Sequence, residues 1–178
     1  KNPRWAYEYA RDVIKGRWPE AEPFIKKSSY AYDYAKDIIK GRWPEAEPFI
    51  MESPHRDFSG SYAYDYAKDI IKGRWPEAED IIMKDPHCVY LYARHVVHGR
   101  WSEAEDIIMK DPKWACYYAE DVIKGRWPEA EDIIMKDPKW ACYYAEDVIK
   151  GRWPEAEDTI RKKSYCWARY NDFLSTLS

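Results

Sequence analysis

The sequence lacks the features on which membrane proteins and most enzymes depend. No apolar run approaches the roughly 20 residues that a membrane-spanning helix needs, and no signal-peptide pattern opens the chain. A glycine-rich phosphate loop, a nucleophile elbow and a Cys-x-x-Cys motif are all missing from the 178 residues. These absences predict a protein that is not an enzyme, binds no cofactor, has no membrane partner and works in the cytoplasm.

One short phrase recurs along the whole chain. Gly-Arg-Trp opens the phrase Gly-Arg-Trp-(Pro/Ser)-Glu-Ala-Glu six times, at Gly16, Gly41, Gly73, Gly99, Gly125 and Gly151. Successive glycines are 25, 32, 26, 26 and 26 residues apart. Such a period is typical of solenoids, in which each unit buries its apolar face against its neighbours. The sequence therefore predicts a single repeat domain over 1–178.

The predicted domain divides into repeats, one insertion and a cap. The repeats lie at about 2–27, 28–52, 61–84, 85–110, 111–136 and 137–163. The wider gap predicts an insertion loop at 52–60. The segment 164–178 continues the pattern with Tyr170 in the place of a core tyrosine, but no Gly-Arg-Trp follows it. We interpret it as a capping helix, which solenoids require.

Each repeat predicts two antiparallel helices. In 111–136, Asp111 is a good N-cap and the following proline suits the first helical position. Helical spacing then places on one apolar face Ala115, Tyr118, Ala119 and Val122. Gly125 is expected to end this first helix in the left-handed conformation, and Pro128 begins the second helix. The predicted fold class is all-α, an α-solenoid of six αα-hairpin repeats of about 26 residues with a C-terminal capping helix.

Four cysteines occur, Cys88, Cys116, Cys142 and Cys166. Two of them, Cys116 and Cys142, hold equivalent positions in adjacent repeats. Their backbones should be a helix-packing distance of about 9–10 Å apart, whereas a disulfide needs Cα atoms within roughly 7 Å. We therefore expect four free thiols.

The invariant Arg-Trp pairs allow two interpretations. They could form a ladder that pairs with phosphates while the indoles stack on bases, as in a protein that sequesters a nucleotide signal. The residues of this alternative ligand site are Arg17, Trp18, Arg42, Trp43, Arg74, Trp75, Arg100, Trp101, Arg126, Trp127, Arg152 and Trp153. The favoured interpretation is structural, because two glutamates follow each arginine within five residues and can bond to it.

Metal and acid–base sites are weakly indicated. Cys88, His95 and His98 could contribute to a zinc site, but a closed structural site needs four ligands, so no metal is predicted. The paired carboxylates Glu129 and Glu131 are two residues apart on a helix and do not face each other. They fit a solvated helix start better than a catalytic pair.

Positions that vary between repeats indicate where a partner would bind. One column of the first helix changes from acidic to apolar and aromatic, and it consists of Glu8, Asp33, Asp65, Leu91, Tyr117 and Tyr143. A second column changes from basic to acidic, and it consists of Arg11, Lys36, Lys68, Arg94, Glu120 and Glu146. Exposed tyrosines are typical anchors of interfaces. The predicted partner-binding residues are Leu91, Tyr117, Tyr143, Arg94, Glu120 and Glu146, although the aromatic residues could instead stack along the solenoid.

Charge makes nucleic acid the least favoured partner. The net charge of −3 divides into +2 for residues 1–50, −8 for 51–160 and +3 for 161–178. A long acidic centre opposes binding to a phosphate backbone.

The phrase Tyr-Ala-x-Asp-(Val/Ile)-Ile-Lys-Gly-Arg-Trp-Pro-Glu-Ala-Glu resembles tandem short helical repeats of largely uncharacterised proteins of tailed bacteriophages and large DNA viruses. The resemblance covers nearly the whole chain and implies a phage accessory protein made only of repeats. It carries no functional residues with it. It favours a non-catalytic inhibitor that binds and blocks a host protein, with immune-defence proteins one class of target. A homo-oligomer is also compatible with the repeats.

Overall fold

The computed structural model describes residues 2–53 and 61–177. Helices make up 69% of the chain, and the described residues contain no strand, which confirms the all-α prediction. The chain divides into two compact bodies, an amino-terminal body over Lys1–Lys84 and a carboxy-terminal body over Asp85–Ser178. Most of the predicted insertion loop at 52–60 lies outside the described residues.

In its described residues, 2–53 and 61–84, the amino-terminal body contains six α-helices. They are α1 (Pro3–Tyr9), α2 (Glu22–Ile25), α3 (Ala31–Tyr34), α4 (Glu47–Glu52), α5 (Tyr62–Tyr66) and α6 (Pro76–Ile82). The first helix of each repeat continues into a π-helical turn. These turns are Ala10–Ile14 after α1, Ala35–Ile39 after α3 and Ala67–Ile71 after α5.

The carboxy-terminal body repeats this arrangement and adds the last helix. Its α-helices are α7 (Pro86–Tyr92), α8 (Glu105–Ile108), α9 (Pro112–Tyr118), α10 (Pro128–Ile134), α11 (Pro138–Tyr143), α12 (Glu157–Ile160) and α13 (Ser164–Ser175). Its π-helical turns are Ala93–Val97, Ala119–Ile123 and Tyr144–Ile149. Short 3₁₀ turns at Ser102–Ala104 and Pro154–Ala156 precede α8 and α12.

Helix starts follow from local side-chain chemistry. The Asp111 carboxylate accepts a hydrogen bond of 2.8 Å from the backbone N–H of Lys113, and Asp137 makes the same bond to Lys139. Asn2 takes this role for α1, accepting from the Arg4 N–H at 3.0 Å. An oxygen at the N-cap satisfies an otherwise orphaned backbone donor. The predicted start of the first helix is confirmed.

The predicted helix end is wrong by one residue. Lys124, not Gly125, is left-handed, with φ 61°, and both backbone N–H groups donate to the Ala119 carbonyl. The wider π-helical turn reverses the chain one residue early, and it also leaves Val122 half-exposed rather than in the core. A Cβ on Gly125 would meet no atom, and its φ is not left-handed, so the structure gives no steric reason for glycine here.

The same left-handed position recurs in every repeat. Its residues are Lys15, Lys40, Lys72, His98, Lys124 and Lys150. A left-handed conformation costs a non-glycine residue roughly 1–2 kcal/mol. A cationic side chain at a helix C-terminus recovers about 0.3–1 kcal/mol from the helix dipole, which accounts for the preference for lysine.

The core is built from aromatic rings and alanines. Within a repeat the core tyrosine packs on the tryptophan, with ring centroids 5.1 Å apart for both Tyr34–Trp43 and Tyr118–Trp127. The tyrosine hydroxyl also reaches the preceding repeat, where it accepts the backbone N–H of the tryptophan. This bond is 2.7 Å from Trp101 to Tyr118 and 2.7 Å from Trp153 to Tyr170 of α13. The predicted place of Tyr170 in the tyrosine column is therefore confirmed.

Two further predictions can be compared with the structure. Cys88, Cys116, Cys142 and Cys166 are all buried and free, as expected. Among the described residues, no helix is both long and apolar enough to cross a lipid bilayer.

Candidate binding surface

The invariant arginines pair with glutamates of their own repeats. Each guanidinium forks onto the carboxylate five residues later, as in the bonds of 2.9 and 2.8 Å from Arg126 to Glu131. The pairs are Arg17–Glu22, Arg42–Glu47, Arg74–Glu79, Arg100–Glu105, Arg126–Glu131 and Arg152–Glu157. Arg100 holds the pKa of Glu105 below its usual value, which shows that the carboxylate is stabilised as an anion.

The tryptophans beside these arginines turn inward. Trp43, Trp75, Trp101, Trp127 and Trp153 are only 1–3% exposed, and Trp18 is half-buried. The indole faces of the five buried tryptophans therefore cannot stack on a nucleotide base without a change in the core. Trp18 differs from them, because it lines an open cavity of about 520 Å³.

The cysteine and histidines considered for zinc do not form a cluster. Cys88 is buried, whereas His95 and His98 are exposed. In residues 2–53 and 61–177, no group of three metal-ligating side chains comes together in a way that could hold an ion.

In the amino-terminal body, polar bonds join the first helices of successive repeats. The Tyr7 hydroxyl donates to Asp37 at 2.5 Å, and Tyr32 donates to Asp69 at 2.7 Å. Lys36 adds an ion pair of 2.7 Å to Asp69. Burial, with Asp37 as hydrogen-bond acceptor, raises the pKa of Tyr7 to about 12. Both Tyr–Asp bonds thus join a tyrosine of one repeat to an aspartate of the next.

The carboxy-terminal body carries rings on the corresponding helices. His87 stacks on Trp114 with centroids 4.2 Å apart, and Trp114 lies 5.9 Å from Tyr117. Tyr117 meets Trp140 and Tyr143 edge-on, each at 5.6 Å. We call these five residues, His87, Trp114, Tyr117, Trp140 and Tyr143, the aromatic ladder. All five are half-buried, so each ring packs on its neighbours and keeps a part of its surface open.

Lysines extend over the two indoles of the ladder. The Lys113 ammonium lies 4.1 Å from the Trp114 ring centroid, and that of Lys139 lies 4.7 Å from Trp140. Cation–π contacts of this kind hold the side chains in place. The ladder therefore has a basic edge.

The structure brings some of the predicted partner-binding residues together. Tyr117 and Tyr143 belong to the ladder, and the Tyr143 hydroxyl donates to Glu120 at 2.5 Å. Their rings stack along the helices, as the alternative interpretation allowed. Leu91 is half-buried on α7. Trp114, Trp140 and His87 were not among the predicted residues, although both tryptophans precede a predicted tyrosine by three positions on a helix.

The remaining predicted residues form ion pairs. Arg94 bonds Asp121 at 2.6 Å. Glu146 accepts from Arg169 of α13 at 2.7 Å. These two side chains therefore have partners within the carboxy-terminal body.

An acidic edge adjoins the ladder where Tyr143 donates to Glu120, and it consists of Glu120, Glu146 and Asp147. Asp147 holds the same position in its repeat as Asp37 and Asp69, each of which accepts a hydrogen bond from a tyrosine of the preceding repeat. The position of that tyrosine is occupied by Cys116 in the repeat before Asp147. Burial, with Glu120 and Glu146 nearby, raises the pKa of the Asp147 carboxyl. A cationic group brought to this edge would lower that pKa and stabilise the anion.

Comparison of the chain with protein-family models, with curated proteins and with solved structures finds no match.

Proposed function

We propose that the chain is a non-catalytic α-solenoid binding protein, encoded by a phage, that uses the aromatic ladder to bind and block a host protein in the cytoplasm of the infected cell. Bacterial immune-defence proteins are the first class of target to test. The observation that carries the proposal is the ladder itself, a continuous row of five half-buried rings in the carboxy-terminal body.

The ladder suits a protein partner because its rings are already held in place. Trp140, for example, contacts Tyr117 on one side and Tyr143 on the other, and Lys139 lies over its face. Tyrosine and tryptophan bury large areas at low entropic cost, and for this reason they are common at the centres of interfaces.

The contrast between shared and variable residues also supports the proposal. Residues common to the repeats, such as Arg126 and Trp127, are committed to the fold through Glu131 and Tyr118. The Tyr117 column instead changes its chemistry from repeat to repeat. A position that is free to vary within a constant scaffold can be adapted to one partner.

The edges of the ladder indicate the chemistry of that partner. An apolar anchor would lie against the open ring surfaces of Tyr117 and Trp140. A lysine or arginine beside that anchor would meet Asp147 and Glu120. We therefore expect a partner surface with a hydrophobic residue next to a basic one, and electrostatic complementarity of this kind gives specificity and speeds association.

The test begins with capture of partners from a bacterial lysate on the immobilised chain, followed by identification through mass spectrometry. Affinity for the identified protein is then measured for the variant Leu91→Ser/Tyr117→Ser/Tyr143→Ser. Because each anchor in an interface contributes about 2 kcal/mol or more, we expect binding to fall by more than about 100-fold. A matched control exists in the same column, Glu8→Ser/Asp33→Ser/Asp65→Ser, and should bind as the wild type does.

A second variant separates binding from stability. Lys139→Glu changes the exposed basic edge without removing a ring, and we expect it to alter the affinity while the circular dichroism spectrum stays unchanged. If the triple serine variant remains folded and binds normally, the ladder only stacks and the proposed surface is wrong.

Thermal unfolding in the presence of a panel of cyclic nucleotides tests the alternative ligand. Ligand at 100 times its dissociation constant adds about 2.7 kcal/mol to the free energy of unfolding. Such a gain for any nucleotide would favour a signal-sequestering protein instead. DNA binding at physiological salt, with a steep dependence on salt concentration, would favour a nucleic-acid-binding solenoid.

A further inference from the structure

The basic edge and the acidic edge of the ladder are separated along the helices. Lys113 and Lys139 lie in the first turns of α9 and α11, and each extends over the indole of the next residue. Glu120 and Glu146 come seven residues later, in the π-helical turns that continue these helices. Seven residues at about 1.5 Å per residue correspond to roughly 10 Å along a helix. The ladder therefore has positive charge toward the start of its helices and negative charge toward their end.

The neighbouring helices of the ladder lie with equivalent ends together. Trp114 near the start of α9 stacks on His87 near the start of α7. Tyr117 meets Tyr143, which holds the equivalent position of α11, and the Tyr143 hydroxyl then reaches Glu120. The lysines of successive repeats are therefore grouped along one edge of the ladder and the carboxylates along the other, with half-buried rings between them.

Both edges keep charge that contacts within the described residues do not pair. In residues 2–53 and 61–177, Lys113 and Lys139 form no ion pair and contact only the indole faces through their ammonium groups. The Asp147 carboxylate has no hydrogen bond or ion pair in the same part of the chain, and burial raises its pKa. Arg169 is close enough to act on Asp147 but is bonded to Glu146. Both edges can therefore form ion pairs with a second molecule.

The ladder itself carries the chemistry that its acidic edge requires. That edge fits a basic residue beside a hydrophobic one, and Lys113-Trp114 and Lys139-Trp140 are two such pairs. We propose that two copies of the chain pair through their ladders, face to face and with antiparallel helices, so that the basic edge of each copy lies on the acidic edge of the other. This pairing covers the binding surface, and a host protein binds by displacing the second copy. The displacement rests on the proposed function, whereas the pairing does not.

The charges select one relative direction of the two ladders. With parallel helices, the lysines of one copy would face the lysines of the other, and like charges across an interface are costly. With antiparallel helices, a two-fold axis that crosses the helices forms both charge contacts at once, as in other symmetric dimers. The rings of Tyr117 and Trp140 then lie at the centre of the interface, where aromatic residues contribute most to affinity.

Sedimentation equilibrium of the full chain measures the pairing without a host protein. We expect a monomer–dimer equilibrium that weakens as salt screens the charges. Lys113→Glu/Lys139→Glu should weaken self-association by at least about 100-fold, because acidic groups would then face acidic groups. The matched control is Lys110→Glu/Lys136→Glu, which makes the same change of charge at exposed positions just after α8 and α10. It should associate as the wild type does.

A charge-swap experiment tests whether the two edges meet. Glu120→Lys/Asp147→Lys reverses the acidic edge and should also abolish self-association, because basic groups would then face basic groups. Mixed in equal amounts with Lys113→Glu/Lys139→Glu, it should form a heterodimer, since each edge again meets the opposite charge. Recovery on mixing also shows that both variants are folded. If the wild type associates but the mixture stays monomeric, the ladders do not meet and the proposal is wrong.

Cross-linking of the wild type gives the direction of the helices and needs no variant. A carbodiimide joins a lysine to a contacting carboxylate, and a mixture of ordinary and nitrogen-15-labelled chains identifies bonds between copies by mass spectrometry. We expect bonds between copies from Lys113 or Lys139 to Glu120 or Asp147. Their absence, or a chain that stays monomeric at about 1 mM, would overturn the proposal. A monomeric chain whose triple serine variant still loses a host partner would leave the proposed function intact, and a dimer that captures no host protein would overturn only that function.

Discussion

The interiors of the amino-terminal and carboxy-terminal bodies are built in the same way, whereas one helix face differs between the two bodies. In both, a tyrosine packs on tryptophan, as in Tyr66–Trp75 and Tyr144–Trp153, at 5.0 Å in each case. On the helix face, both bodies join repeats through tyrosine–aspartate hydrogen bonds, such as Tyr32–Asp69 in the first and Tyr90–Asp121 in the second. The carboxy-terminal body adds the aromatic ladder on this face. The scaffold is therefore constant while the face has diverged.

This difference separates residues that maintain the fold from residues that are available for recognition. Arg126 cannot leave Glu131 without exposing a half-buried carboxylate, and Trp127 is almost fully buried. Tyr117 is under no such constraint, since the same position is acidic in three other repeats. Function is thus better sought in the variable columns than in the repeated phrase.

The largest expected effect concerns the shared interior. Trp101→Ala in the carboxy-terminal body and Trp43→Ala in the amino-terminal body should each cost about 3–5 kcal/mol, the range for truncating a buried large aromatic residue. Each variant should unfold in two stages, because repeats couple mainly to their neighbours. Hydrogen exchange during denaturation identifies the body that opens first, and it should be the one with the substitution.

A contrary result would change which residues of the repeat are assigned to the core and which to the binding surface. If Trp101→Ala unfolds like the wild type but loses its partner, the tryptophan belongs to the binding surface. If both variants unfold in one stage, the two bodies act as a single cooperative unit.

Local features of the fold could be predicted from the sequence. The N-cap of Asp111 depends on groups two residues away, and six copies of one pattern made the helices unambiguous. The helix end could not be predicted, because rules for glycine caps do not anticipate a π-helical turn that makes Lys124 left-handed. The prediction that Val122 lies in the core is wrong for the same reason.

The ladder could be predicted only in part. Sequence columns compare equivalent residues, so they identified Tyr117 and Tyr143. They did not identify Trp114 or His87, which have different column positions and meet only when neighbouring helices pack. The hydrogen bond that the Trp101 N–H donates to the Tyr118 hydroxyl likewise joins positions 17 residues apart, and no local rule indicates it.

A moderate effect is expected where the helix faces differ. Tyr117→Ser removes a ring that contacts Trp140 and Tyr143, and aromatic pairs contribute about 0.5–1.5 kcal/mol each. We expect a loss of about 1–3 kcal/mol in urea denaturation. Glu8→Ser at the same column position removes only an exposed ion pair with Arg4 and should cost under about 0.5 kcal/mol. Equal losses in the free energy of unfolding would show that this column position contributes equally to stability in the two bodies.

The smallest expected effect concerns the two aspartates that hold equivalent positions beside the ladder. Asp121 accepts from the Tyr90 hydroxyl and pairs with Arg94, whereas Cys116 stands where Asp147 would need a tyrosine. Because the pKa of Asp147 is raised in the folded state, its contribution to stability is present below the unfolded value of 3.8 and is lost as the pH rises through the folded pKa. Asp147→Asn should therefore raise the unfolding temperature at pH 7, and the gain should shrink toward pH 4. Asp121→Asn, which removes a charge-assisted contact, should lower the unfolding temperature at pH 7. If both substitutions lower the unfolding temperature, contacts within the chain stabilise the Asp147 carboxylate as well as that of Asp121. The acidic edge would then not require a cationic group from a partner.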